Sequence, residues 1–494
     1  MKNVLFVPIL WLCCIILVSC GKIEQTVTVE DNPYYKRWIQ SEMNIDDWLD
    51  ISSEVPGYKG LNNINPGKIK EIKADIDFFE YNDIMEKTKD GFLHITMKTV
   101  PGTGTSQWSD KKIPLIRKLS SEGKIKWEKE YDYLTVSGYI TNLIVYPDDG
   151  FLFSMQVHPY YTDNKQVVEN SILARCNSMG DMVWTYEFPD ISGAMLKKVL
   201  VGENDEIYVV GDWGMKDGVQ TQDEVCDSIV VTKFDGRGNL IEQKGFGGSD
   251  FDNVENAWVI GDGSCLLPEG SKQEPSPIVI QGYTQSHDGD FAIGDEGRQR
   301  SGFIACITEN MNVKWVFFPE EDIDFNSNPF ICDEGINLLC YERTGNDSFP
   351  GSLQKVGIDG QLLKKTDLYH GMWGHFISGL STGDIVAGAG RQNDGIIIIM
   401  DSNGNEKKRL DNLQYEPQNI FPINDGGFII TSTRAKKSVP QPPLISSIWY
   451  DTELLVVKYD NQYKIEWRKT YDRYVGQMGL DFAWPQKDGS ILVP

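Results

Sequence analysis

Ile420-Phe421-Pro422-Ile423-Asn424-Asp425-Gly426-Gly427-Phe428-Ile429-Ile430-Thr431-Ser432 is an apolar run, a tight turn and a second apolar run. Asp-Gly and Gly-Gly supply the positive φ that short hairpin turns demand, so this stretch is a β-hairpin and Asp425 is a turn former. Further on, Leu454-Leu455-Val456-Val457-Lys458-Tyr459-Asp460 is a β-prone strand. Asn461-Gln462-Tyr463 is its turn, and Lys464-Ile465-Glu466-Trp467-Arg468-Lys469-Thr470-Tyr471 alternates polar and apolar residues, as a half-buried strand does. Two hairpins make four strands, and that unit recurs. Asp90-Gly91, Asp149-Gly150, Asp262-Gly263, Asp425-Gly426 and Asp488-Gly489 mark the first hairpin, with looser copies at Asn204-Asp205, Glu334-Gly335 and Gly383-Asp384. The second hairpin is clearest at 118–127, 175–184, 233–242 and 458–467. Repeats of this length, each one blade, predict an all-β fold, a β-propeller of four-stranded antiparallel blades.

The first hairpin occurs eight times and the second seven. The last blade therefore lacks two strands, and a ring that leaves edges open invites unwanted pairing. Residues 58–64, the turn Asn65-Pro66-Gly67 and residues 68–75 read as the missing hairpin. The expectation is eight blades, with 58–75 beside 482–493. Seven blades is the alternative, if the unit around 335–410 is miscounted. Trp127, Trp184 and Trp315 fall where Trp467 stands in the last unit, and recurrence at one place predicts wedge packing between blades rather than a binding platform.

Lys2 followed by the apolar run 4–19 is too short for a comfortable membrane span and reads as a signal peptide. Leu17-Val18-Ser19-Cys20-Gly21 resembles a bacterial lipobox, which implies cleavage before Cys20 and lipid on its thiol. No Asp follows Cys20, so the resemblance implies an outer-membrane address, on the periplasmic side or the cell surface. The expected organisation is 1–19 signal peptide, 20–50 lipid-anchored tether and 51–494 propeller. Within the tether, 34–49 could form a short amphipathic helix with Trp38, Ile39, Met43, Ile45 and Trp48 on one side.

A net charge of −25 excludes nucleic acid as a partner, because that binding needs basic patches. Of nine Cys, Cys13 and Cys14 leave with the signal and Cys20 takes lipid. Cys176, Cys226, Cys265, Cys306, Cys332 and Cys340 show no CxxC spacing and sit mostly in apolar strands, so buried free thiols are expected.

Catalytic signatures are absent: no G-x-S-x-G, no H-E-x-x-H, no Walker loop and no G-x-G-x-x-G. Of five His, His370 and His375 flank Trp373 in a stretch that reads as loop, and packing or surface roles suit them better than metal ligation. The segment from His287 to Gly297 carries Asp288, Asp290, Asp295 and Glu296. Hard oxygens at close quarters make Asp288, Asp290 and Asp295 candidate calcium ligands, without an EF-hand pattern. No other cofactor is expected. Asp227-Ser228-Ile229 fits the three-residue O-glycosylation pattern of Bacteroides-type bacteria, and equally begins a strand.

Val456-Val457-Lys458-Tyr459-Asp460, the turn, Ile465-Glu466-Trp467-Arg468-Lys469-Thr470-Tyr471 and Asp425-Gly426-Gly427-Phe428-Ile429 resemble the units of propeller repeat lipoproteins from Bacteroidota. Residues 281–290 look like their blade-connecting loop and Gly236-Arg237-Gly238-Asn239-Leu240 like their turn; the resemblance runs from about 84 onward. A second resemblance, to quinoprotein-type propeller repeats, rests on Gly123-Lys124-Ile125-Lys126-Trp127 and Gly180-Asp181-Met182-Val183-Trp184. That group includes an eight-bladed, cofactor-free scaffold of outer-membrane barrel assembly. The adjacent Cys pair of quinoprotein dehydrogenases is absent after Cys20. Together they imply a binding or scaffold protein that meets a protein or glycan partner through blade-connecting loops. The competing class is a carbohydrate-active enzyme with acidic residues at the propeller funnel.

Overall fold

The computed structural model describes 84–99, 112–134, 138–157, 171–188, 195–202, 205–214, 227–259, 277–294, 300–319, 335–342, 351–369, 373–391, 394–439 and 449–476, with short pieces at 53–54, 61–65, 160–162, 165–167, 323–325, 329–332, 484–485 and 491–492. The signal, Cys20 and the segment 34–49 lie outside the described residues. Described secondary structure is strand throughout, and no described helix is long and apolar enough to cross a membrane.

Seven four-stranded antiparallel meanders form the blades of a β-propeller. Blade one runs from Ile84–Thr88 to Ile125–Glu130, and blade two from Gly138–Val145 to Met182–Glu187. Blade three runs from Met195–Val201 to Leu240–Phe246, and blade four from Asp252–Val259 to Val313–Phe317. Blade five has a first strand split into Ile323–Phe325 and Phe330–Cys332 and ends with Leu362–Tyr369. Blade six runs from Trp373–Gly379 to Glu406–Leu410, and blade seven from Asn419–Pro422 to Ile465–Gly476. A second, smaller compact unit comprises 1–58, 435–453 and 472–480; in it Ser53 pairs with Ser438 and Glu54 with Lys437.

The count corrects the expectation of eight blades to the alternative of seven. The stretch 335–410 was not miscounted; it belongs to two genuine blades. What fails is the eighth hairpin: among the described residues, Trp484–Pro485 pairs with Ile491–Leu492 alone, as a two-stranded sheet. Most of 58–75 and 482–493, whose pairing was expected, lies outside the described residues; of the described ones, Ile64 pairs with Arg468 of the last blade's outer strand.

Blades two to six bury both faces against their neighbours. Alternation along one strand divides the labour: Phe151 and Phe153 join Leu93, Ile95 and Ile116 of blade one, while Leu152 joins Val209 and Val230 of blade three. Further clusters lie between blades three and four, four and five, five and six, and six and seven. Cys176, Cys306 and Cys340 are buried within these layers as free thiols, and Cys332 is half-buried and free. Burial pushes the thiols of Cys176 and Cys306 up to about 11, which disfavours the thiolate form.

The candidate binding face

Antiparallel meanders place their turns at two ends. One end holds the turns after the first and third strands of every blade; the other holds the loop after the second strand and the connection to the next blade. The two repeated phrases both fall at the first end, and there their Asp, Asn and Lys side chains bond within and between blades. In the turns, Asp235 Oδ1 accepts from the backbone N–H of Arg237 and Asn239 at 2.9 and 2.8 Å, and Asp401 and Asp460 repeat the arrangement. The Lys of the second phrase closes onto the Asp of the first. Lys118 Nζ lies 2.9 Å from Asp90 and 3.3 Å from Asp149 of the next blade, Lys458 lies 2.8 Å from Asp425, and Lys233 lies 2.9 Å from Glu206. Lysines of the fourth strands grip the following blade's turn: Lys129 to Asp181 at 2.6 Å, Lys244 to Met311 O at 2.7 Å, Lys364 to Asn403 O at 2.7 Å and Lys408 to Gln462 O at 3.0 Å. The tryptophans pack where recurrence placed them. Trp127, Trp184 and Trp315 each cover the turn glycine of the next blade, Gly180, Gly238 and Gly360, and Trp315 Nε1 donates to Ile358 O at 2.9 Å.

The opposite end is built differently. Its loops are unlike one another: blade two inserts a ribbon, Tyr160–Thr162 paired with Lys165–Val167, blade four inserts 285–300, and blade six turns directly from Arg391 to its ladder partner Asp394. At this end the first strands of blades two, three, four and six each carry a β-bulge. The extra residues are Thr141, Lys197, Glu255 and His375. Each bulge faces at least one small residue of the second strand: Ser154, Gly211, Gly282 and Gly388. At Gly282 the reason is close approach, since a Cβ would stand 2.1 Å from Asn253 O. His375 is thus on a strand and not in the loop the sequence suggested. Its Nε2 lies 2.7 Å from Glu416 Oε1.

Two side chains tie these bulges across blades. Asp212 of blade three accepts the Val254 N–H at 2.6 Å and the Asn253 amide at 2.8 Å, both from blade four. Asn142 of blade two accepts the Val199 N–H of blade three at 3.2 Å.

The acidic loop of blade four lies at this end. Asp288 Oδ1 accepts the Ser249 N–H at 2.6 Å, Asp290 Oδ2 accepts the Gly247 N–H at 3.4 Å, and Asp290 N–H returns a bond to Gly247 O at 3.0 Å. These carboxylates fasten the loop to the connection between blades three and four. Asp295 lies outside the described residues, and among the described residues no three His, Cys, Asp or Glu side chains are grouped to hold a metal ion. Beneath them sits Asp252, a residue the sequence did not single out. It is fully buried, and its Oδ2 accepts from Gly248 N–H at 2.7 Å and from the Ser286 hydroxyl at 3.0 Å. Burial holds its pKa above the ordinary carboxylate value. Asp227 and Ser228 take ladder positions opposite Gly214 and Trp213, so the glycosylation pattern coincides with a strand start.

No protein-family pattern matches the chain, and no curated protein matches it. Solved structures do resemble it in fold. A protein of unknown function from Bacteroides caccae aligns over 61% of this chain and 90% of its own, at 13% identity and a TM-score of 0.29. A streptogramin B lyase aligns over 68% and 94%, at 14% identity and 0.32, and a eukaryotic initiation factor over 81% and 90%, at 8% identity and 0.39. Likenesses this distant carry no argument, and the class follows from the strand pairing. The class is a seven-bladed β-propeller.

Proposed function

We propose that this chain is an outer-membrane lipoprotein, anchored through Cys20, whose propeller binds a protein or glycan partner at the loop-bearing end and does not transform a substrate. The observation that carries it is the asymmetry between the two ends. One end spends its Asp, Asn, Lys and Trp on turns and blade-to-blade locks. The other carries dissimilar loops on a strand scaffold, with insertions in blades two and four, the arrangement by which scaffolds present binding surfaces. The lipobox resemblance of residues 17–21 supports the anchor. Calcium at Asp288 and Asp290 belongs to the same proposal, as a brace for the loop.

Two measurements test it. Cys20→Ala should move the protein from the membrane fraction to the soluble one and abolish labelling by a palmitate analogue. Deleting the ribbon 158–170 should weaken capture of the partner, with the melting temperature nearly unchanged. Release of new reducing ends from a polysaccharide by the intact protein, lost on replacing a carboxylate of the loop-bearing end, would instead establish the carbohydrate-active enzyme.

A further inference from the structure

We infer that the outer strand of blade three, Leu240–Phe246, pairs with the same strand of a second copy of this chain, so that two blades join edge to edge across a two-fold axis. The contact is separate from the loop-bearing end. This strand lies at the edge of its blade, and among the described residues nothing pairs with its free side. An outer edge of this ring does take an added strand. Residues 62–65 lie along the outer strand of blade seven, where Ile64 and Arg468 exchange backbone bonds and Asn65 donates to Glu466 O at 2.9 Å. In blade three the corresponding edge is bare. Its first four residues are all exposed, with Leu240 at 45% and Ile241 at 53%, whereas the outer strand of blade two alternates half-buried and exposed residues. On the face of Ile241, a Cβ built at Gly245 would meet no atom within 4 Å. Unpaired N–H and C=O groups flanked by exposed aliphatic side chains make a template for strand addition.

The order of charges selects a second copy as the occupant. Outward-pointing backbone groups alternate along a strand, so residues opposed across two antiparallel strands must match in that alternation. A two-fold pairing of one strand with itself therefore centres on a residue and not between two. Centred on Gln243, it sets Glu242 of each copy against Lys244 of the other, Ile241 over the open Gly245, and Leu240 opposite Phe246. Centred on Glu242 it would oppose two carboxylates, and centred on Lys244 two ammonium groups, and like charges directly opposite are destabilising. Both charges are available. Among the described residues no side chain bonds Glu242. Lys244 Nζ donates to two neutral acceptors, Met311 O at 2.7 Å and Asn312 Oδ1 at 3.1 Å, which leaves its third N–H and its charge without a carboxylate. In blade one the neighbouring charges are already matched, Lys126 with Asp90 and Glu128 with Arg117. One strand pair falls below the roughly 1,200 Å² of a stable interface, so the dimer is a weak one that exchanges.

The test is cross-linking of the purified full chain in detergent, with micelles in large excess over protein. Gln243→Cys stands at the centre of the pairing, so two copies bring their Cβ atoms within about 5 Å and a short bis-maleimide should join them. The parent chain, and Met179→Cys at a position 62% exposed on the rim of blade two, should give little of that product. Adding Glu242→Lys to Gln243→Cys opposes like charges at both flanking pairs and should cut the product about tenfold, and adding Lys244→Glu should do the same. Mixing those two charge variants, differently tagged, opposes unlike charges again and should restore the product between tags. Ile241→Asp, at another exposed position, should also cut it and serves where Lys244→Glu does not fold; circular dichroism melting checks every variant. Four results overturn the inference: folded Gln243→Cys gives no more dimer than the parent, Met179→Cys is joined equally well, E242K or I241D leaves the product undiminished, or two folded charge variants fail to restore it on mixing. A product joined to a different polypeptide would place a foreign strand on this edge and overturn it equally.

Discussion

Lys118 shows what one residue of the repeat accomplishes. Its side chain is 7% exposed, a burial that a cation tolerates only when paired, and it meets Asp90 and Asp149 from two successive blades. The Asp90 carboxyl, bonded first to Lys126 and then to Lys118, is held down at about 2. The sign follows from linkage: a depressed carboxylate contributes stability that is present above its ordinary value of 3.8 and lost as pH falls through about 2. Lys118→Met should raise the Asp90 value toward the ordinary range and begin acid unfolding at higher pH, read by carboxylate NMR titration and acid melts. Asp252 has the opposite sign. Its pKa is raised by burial, so the stability it contributes is complete below the ordinary carboxylate range and is lost as pH rises through its folded value. Asp252→Asn keeps an acceptor for Gly248 and removes that slope. Denaturant unfolding measured from about pH 4 to about pH 7 should then fall less steeply than in the parent chain. The turn aspartates were legible in the sequence because Asp-Gly states a local geometry. Asp252 was not, because nothing beside it in the chain says that Gly248 and Ser286 will close over it.

At the scale of strands and turns, the tryptophan of one blade and the glycine of the next behave as one element. A Cβ at Gly238 would come within 2.5 Å of the Trp184 ring, and Gly238 itself sits at φ +83°. Where blade three has Glu242 in place of the tryptophan, the turn of blade four places Met311 at φ 55°. A side chain is thus accepted where no ring covers the turn. Trp184→Ala should cost about 2 kcal/mol, less than a fully buried ring because Trp184 is only partly buried. Gly238→Ala should cost about 1–3 kcal/mol for strain at positive φ plus the clash. The double variant should cost about 1 kcal/mol less than the sum, since without the ring the clash is gone. Additive costs in urea unfolding would show that the two do not couple. Recurrence made the tryptophans readable as packing, but their partners lie a blade away and only the fold joins them. The bulges had a local signal that went unused: Ser154, Gly211, Gly282 and Gly388 each interrupt the second strand, and a small residue inside a strand pattern marks a bulge or a close approach.

For the whole molecule, the mismatch of eight first hairpins against seven second hairpins gave one blade too many. Counting turns cannot tell a strand that joins a blade from one that pairs only with its neighbour, and among the described residues Trp484–Pro485 and Ile491–Leu492 are the latter. The chain ahead of blade one nevertheless meets the last blade. Ile64 and Arg468 exchange both backbone hydrogen bonds at 2.9 Å, the Arg468 guanidinium donates to Asn62 O at 3.0 and 2.7 Å, and Thr470 N–H donates to Asn63 Oδ1 at 2.9 Å. Each blade's four strands are one contiguous run of chain, and Ser53–Glu54 from ahead of blade one also pairs onto the second strand of the last blade; the bonds of 62–64 to 468–470 tie the two ends of the run together. They also cover part of an edge strand that would otherwise offer unpaired N–H and C=O groups. Arg468→Ala removes the guanidinium bonds and spares the backbone pair, and Ile64→Pro removes the Ile64 N–H as well. Amides of 465–471 should then exchange about tenfold faster with Ile64→Pro, equivalent to about 1.4 kcal/mol of local stability, and less so with Arg468→Ala. Amides of Asp227–Phe234 in blade three should keep their protection. If blade three loosened equally, the tie would be stabilising the molecule globally. If neither region changed, the bonds between 61–65 and the last blade would contribute nothing measurable to holding its outer strand.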